Sequence, residues 1–151
     1  MNDATRRRMA TIRQVLGVLH EPGSVIEIRA LGVPGKGKPH TVAGYFDDFD
    51  AAAEAVARLD DRKPAGIYLT LNAIAPALLA RSPNKLVDYL EPLTSDSDTD
   101  VVRRRWLLLD FDPRRPTGVP STDAEHQGAR EAATWSRQWL ESLGWPAPIF
   151  A

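Results

Sequence analysis

The stretch VVRRRWLLLDF, residues 101–111, reads as the strongest strand in the chain. Leu107, Leu108 and Leu109 are expected to bury that strand and hold its C-terminal end rigid. Alternate side chains of a strand share a face, so Asp110 and Asp112 are expected to point the same way. Their Cα atoms would then lie roughly 6–7 Å apart, from a rise of about 3.3 Å per residue. Two carboxylates at that spacing can converge on hard cations, Mg2+ or Mn2+, which take oxygen ligands and keep positions free for substrate phosphates. A metal pair about 3.5–4 Å apart can activate an attacking hydroxyl and stabilise a leaving pyrophosphate. Arg114 and Arg115 follow directly, where they could offset the charge of a triphosphate. The same residues also have a plainer reading. Aspartates at a strand end before a proline make turns by accepting from nearby backbone N–H groups.

Working outward, residues 3–20 show helical spacing in Met9, Ile12, Val15, Leu16 and Leu19, with Asn2 or Asp3 as cap. Ser24 to Leu31 alternates Ile26, Ile28, Ala30 against Val25, Glu27, Arg29, Leu31, which predicts a strand. GVPGKGKPH, residues 32–40, carries glycine and lysine together but lacks the Ser or Thr and following helix of a phosphate-binding loop. It predicts a hairpin connection into the strand HTVAGYF, residues 40–46. Asp47 or Asp48 is placed to cap a helix over 49–59, and Ile67 to Leu71 predicts a short strand ending at Asn72. Residues 74–80 predict a helical turn or two with Pro76 near the start, and Asn84 to Leu90 another short helix. TSDSDTD, residues 94–100, is polar and acidic and is expected to be mobile. Thr122, with Glu125 completing a capping box, starts a long helix reaching about Leu143, and Gly144 ends it. Ala129, Ala132, Ala133, Ser136, Trp139, Leu140 and Leu143 are its expected packing face, and Trp135, Trp139 and Trp145 read as packing residues. Trp145 to Ala151 looks like the start of a final strand. The expected fold class is α/β (α+β), a mixed sheet with helices packed on it, in one domain over residues 1–151. The last strand–helix–strand segment should cross over right-handed if its strands are parallel neighbours.

Composition narrows the function classes. Charged residues make up 26% and hydrophobic residues 43% of the chain, ordinary for a globular protein with a core. The absence of cysteine excludes a disulfide framework and a thiolate zinc site. No apolar run approaches the roughly 18 residues of a spanning helix, and the N-terminus lacks a secretory pattern, so a cytoplasmic location without membrane partners is expected. The net charge of −1 predicts no nucleic-acid partner by itself. Its distribution says more, because Arg6, Arg7, Arg8 and Arg13 cluster at one place and Arg103, Arg104, Arg105, Arg114 and Arg115 at another. Either cluster could form a phosphate-handling surface or a solvated edge. His20, at a helix end favourable for its charged form, and His40, in a loop or at a strand start, both read as structural, and the three histidines lack metal-ligand spacing.

RRRWLLLDFDPRRPTGVPSTDAEH, residues 103–126, resembles the first catalytic motif of primase–polymerases of the archaeo-eukaryotic primase superfamily, especially those of bacterial plasmids, prophages and other mobile elements. GYFDDFDAAAEAVARLD, residues 44–60, and GIYLTLNAIAPALLAR, residues 66–81, also look similar to those proteins. The resemblance implies part of an RRM-like catalytic domain, with Asp110 and Asp112 as catalytic metal ligands for Mg2+ or Mn2+. It implies Arg114 and Arg115 on nucleotide phosphates, Arg103, Arg104 and Arg105 on nucleic acid, and a DNA template and nucleoside triphosphates as partners. A helicase partner stays open. The family's second motif, Ser-x-His, and its third, a further metal-binding aspartate, are absent, and the sequence stops about where the strand leading to the second should begin. The chain is therefore expected to be the N-terminal part of a longer enzyme, inactive as it stands, or a naturally short relative. The alternative is a non-catalytic nucleic-acid-binding or replication-initiation module on the same scaffold. A sugar-nucleotide transferase with Asp-x-Asp is a weaker third, because no nucleotide-binding strand–helix fingerprint precedes the pair.

Overall fold

The computed structural model describes residues 3–89 and 97–149 of the chain, which divide into two compact units, Met1–Leu107 and Leu108–Ala151. The first unit contains α1 (Asp3–Leu19), β1 (Ile26–Val33), β2 (His40–Phe46), α2 (Phe49–Asp60), β3 (Gly66–Leu69), a 3-10 segment (Pro76–Arg81) and β4 (Val87–Asp88). The second contains α3 (Asp123–Ser142). No helix among the described residues is long and apolar enough to cross a membrane.

The predicted alternation of residues 24–31 sets the sheet. β1 pairs antiparallel with β2 from Ile26 opposite Phe46 to Ala30 opposite Val42, and with β3 on its other edge. β4 pairs antiparallel with β2, giving the order β3-β1-β2-β4. The predicted hairpin over residues 32–40 is present, with a register shift between Ala30 and Val33.

Period two sorts the side chains into two layers. Ile26, Ile28 and Phe46 are buried with Leu16 of α1 and Ala52 of α2, while Ala30, Val33 and Val42 are buried with Leu59 of α2. On the opposite face, Val25 and Tyr45 pack on Ile74 and on Leu78 of the 3-10 segment. α2 starts as expected, with Asp48 Oδ1 accepting from the backbone N–H of Asp50 at 2.8 Å and Ala51 at 3.1 Å. Its small residues Ala52, Ala53 and Ala57 are buried, which lets the helix lie close to the sheet.

Several expectations change. The helix expected over 84–90 is not formed: Leu90 lies outside the described residues, Val87–Asp88 forms β4, and Asn84 adopts a left-handed backbone at φ 51°. Its amide instead staples the α2 entry, accepting from Asp47 N and Asp48 N at 3.1 Å and donating to Asp47 Oδ1 at 2.6 Å. The expected strand 101–111 is absent except for one antiparallel bridge between Val101 and Ile74. Leu108 is 75% exposed, and without a neighbouring strand its apolar run has no ladder to join. Trp145–Ile149 forms no strand, so there is no crossover among the described residues, where every strand pairing is antiparallel; Phe150 and Ala151 lie outside them. In the acidic stretch, Ser97 caps a 3-10 turn over Asp98–Asp100, while residues 94–96 lie outside the described set, as does Asn2.

α3 has both predicted ends. Thr122 Oγ1 accepts from Glu125 N, and Glu125 Oε2 accepts from Thr122 N at 2.8 Å. The Thr122 backbone N–H foremost, and the Thr122 hydroxyl donating to the same Oε2 at 2.9 Å, hold the Glu125 carboxyl below its usual range. Gly144, at φ 84°, donates to Glu141 O, and Trp145 N donates to Leu140 O, a helix stop that needs a left-handed residue. The expected packing face is only half-buried: Ala129, Ala133, Ser136 and Leu140 are partly covered, while Ala132, Trp139 and Leu143, with Trp135 and Trp145, are exposed.

β2 tolerates no side chain at Gly44, where a Cβ would lie 2.0 Å from Lys85 O. Gly44→Ala is expected to cost at least about 2 kcal/mol in chemical denaturation. Gly37→Ala, with open space around it, is expected to stay within about 0.5 kcal/mol of the parent.

Candidate nucleic-acid and metal site

Asn72 decides the course of the segment that leads to the aspartates. Its Oδ1 accepts from Arg105 N at 2.7 Å and Trp106 N at 2.8 Å, and its Nδ2 donates to Trp106 O at 3.1 Å. One side-chain amide thus replaces the missing strand neighbour for two consecutive residues. Val102 N donates to Ala73 O, Ala75 N donates to Asp100 O, and the Trp106 indole donates to Leu19 O at 2.6 Å. Residues 100–106 are therefore laced to 72–75 and to the end of α1. The signal for Asn72 in the sequence was only its place after a strand, where a turn is the commoner role.

Arg103, Arg105, Trp106, Asn72 and His20 line a cleft of about 150 Å³ at this seam. Arg105 reaches Glu21 at 3.3 Å and lies over the Trp106 ring, 5.6 Å from its centroid. Arg103 and Arg104 make no ion pair among the described residues. His20 is 4% exposed, and burial, with a smaller push from Arg105, lowers its pKa against a raising hydrogen bond to the Thr70 backbone. Its neutral form is favoured, opposite to what its place at a helix end implied, because desolvation outweighs the raising hydrogen bond to Thr70.

Asp110 and Asp112 sit in irregular chain and are exposed, with no ion pair or hydrogen bond among the described residues. Because the strand is not formed, strand alternation does not set their facing. Two carboxylates are suitable donors for Mg2+ or Mn2+. Among the described residues, however, no group of three or more acidic or histidine side chains gathers to hold a metal. The pair has the donor chemistry for such an ion but would by itself supply only part of a coordination shell. Arg115 Nη1 donates to Val119 O at 2.8 Å, while Arg114 is exposed and makes no ion pair among the described residues.

The N-terminal arginines are largely spent on structure. Arg6 and Arg7 pair with Asp3, Arg8 with Asp60 and Asp61, and Arg13 with Asp50, so they tie α1 to itself and to the ends of α2. Each such exposed pair contributes at most about 1 kcal/mol. Neither a scan of protein-family models nor searches of curated proteins and solved structures finds a match to this chain.

Asn72→Ala removes three hydrogen bonds and is expected to cost about 1–3 kcal/mol in denaturation. Amide exchange at Arg105 and Trp106 should speed up while β1 and β2 remain protected. The His20 shift fixes a sign for pH. A lowered folded-state pKa leaves the unfolded chain binding more protons, so stability is intact above about 6.5 and declines as pH falls below it. Unfolding measured between pH 7.5 and 5 should show this decline, and His20→Gln should flatten it.

Proposed function

We propose that this chain is the N-terminal part of a DNA primase–polymerase that joins nucleotides on a template in the replication of a mobile element. The observation that carries the reading is the Asp-x-Asp of Asp110 and Asp112 immediately after WLLL. Both carboxylates are exposed and, among the described residues, lack the backbone hydrogen bonds that a purely turn-making role would use. The resemblance of residues 103–126 supports it, as does the Asn72 clamp, which fixes the chain four residues before the pair.

Asp110 and Asp112 would hold Mg2+ or Mn2+, which when bound supplies positive charge to phosphate oxygens and to the attacking hydroxyl. Arg114 and Arg115 would offset triphosphate charge, Arg114 with a guanidinium that no carboxylate among the described residues occupies. Arg103 and Arg104, likewise without an ion pair among the described residues, would run along the backbone of the template. Leu107, Leu108 and Leu109, all exposed, supply a strand-forming sequence that becomes ordered only with a packing partner.

A second reading is a nucleic-acid-binding module without catalysis. Arg103 and Arg104, without an ion pair among the described residues, favour it equally, since they need no metal. In the full-length enzyme, changing both Asp110 and Asp112 to Ala is expected to abolish primer synthesis while leaving most DNA binding. Primer synthesis at an undiminished rate would remove the aspartates from the chemistry. Binding that is salt-sensitive, with no synthesis in any metal, would favour the module.

A further inference from the structure

We infer that the His40–Tyr89 stack and the lysine-bearing hairpin beside it form a contact site for single-stranded nucleic acid. The Tyr89 ring lies on the His40 ring, with centroids 4.0 Å apart and planes 15° apart. Tyr89 is nevertheless 63% exposed, so His40 covers only part of it. A large aromatic held flat and left open is suited to stack on an unpaired base.

Three features hold the ring in place. His40, whose side chain is 8% exposed, meets Asp88 Oδ1 through Nε2 at 2.8 Å, and Arg62 donates to the same oxygen at 2.6 Å. Those two bonds, Arg62 first, hold the Asp88 carboxyl below its usual range. Tyr89 N donates to Thr41 O at 3.0 Å. Tyr89 also takes a left-handed backbone at φ 58°, a conformation that costs a bulky residue about 1 kcal/mol or more. Glycine or asparagine would sit there more easily, and nothing in the packing of the core requires a ring at a position this exposed.

The charge around the ring points to a polyanion. Gly35 lies against Tyr89 Oη and His40 Nδ1, which brings the hairpin to the stack. Lys36 and Lys38, exposed on that hairpin, make no ion pair among the described residues. From Arg62 a cleft of about 310 Å³ continues along α2, lined by Arg58 and Lys85. Among the described residues here, the carboxylates of Glu54 and Asp88 are bonded to Arg58 and Arg62. Bases on Tyr89 with phosphates along Lys36, Lys38 and Lys85 satisfy both halves of the surface. The inference is independent of the aspartate reading, since neither Asp110, Asp112 nor a metal enters it.

The test is fluorescence anisotropy of a short labelled single-stranded oligothymidylate with the full chain, in EDTA. Chelation keeps any metal-dependent chemistry out of the readout, so this site and the aspartate site fail separately. Tyr89→Ala is expected to weaken binding about ten- to a hundredfold, the loss of one stacked base. Tyr89→Phe should stay within about twofold. Changing Lys36 and Lys38 to Ala should lower the salt slope by about 0.7 per lysine. Tyr89→Gly relaxes the backbone, so thermal unfolding should show a folded protein that has nonetheless lost the oligonucleotide. Equal binding by the parent and both the Ala and Gly variants would overturn the inference. So would the absence of binding to the parent.

Discussion

The pairing of β1 with β2 is the constraint on which the first unit rests. A shift of one residue would carry Ile26, Ile28 and Ala30 to the face now held by Val25, Glu27 and Arg29. The α1–α2 layer would then meet a buried carboxylate, since Glu27 is 3% exposed and is bonded to Arg29. With the register as it stands, Leu16, Phe46 and Leu59 close the helix side, and Tyr45 with Leu78 closes the other. Lys85 O fits over Gly44 only because that residue has no side chain.

Around this frame, two asparagine amides do work that strand ladders do elsewhere. Asn84 joins the β4 region to the start of α2, and Asn72 joins residues 105–106 to the end of β3. An amide can accept twice and donate twice, so one side chain can satisfy the backbone of two neighbours. Asn72 is the last such tie before the aspartates, and from Leu107 onward the chain is irregular until α3.

How far the sequence could be read depended on whether the deciding interaction was local. Alternation over 24–31, the hairpin at 32–40, the Asp48 cap and the Thr122–Glu125 box depend on neighbours a few residues apart, and all appear as read. Residues 101–111 failed because a strand exists only with a partner, and apolar content says nothing about whether one is present. The packing face assigned to α3 is only partly covered, at Ala129, Ala133, Ser136 and Leu140, because a helical period marks a face without saying how deeply it is buried. His20 was misjudged because burial is a tertiary property, and the Asn72 clamp spans more than thirty residues. Of the candidate site, the residue types of Asp110, Asp112, Arg114 and Arg115 were legible, whereas their mutual facing was not. The Tyr89 stack escaped altogether, since nothing in the local sequence links it to His40.

The central claim is that Asp110 and Asp112 act together on a cation, and the most direct measurement is paramagnetic broadening of backbone amide signals by Mn2+ in the presence of a nucleoside triphosphate. The account predicts broadening centred on Asp110, Phe111 and Asp112 and extending to Arg114 and Arg115, removed when both aspartates become asparagine. Broadening centred on the acidic run at Asp47, Asp48 and Asp50, or spread evenly over the surface carboxylates, would contradict it.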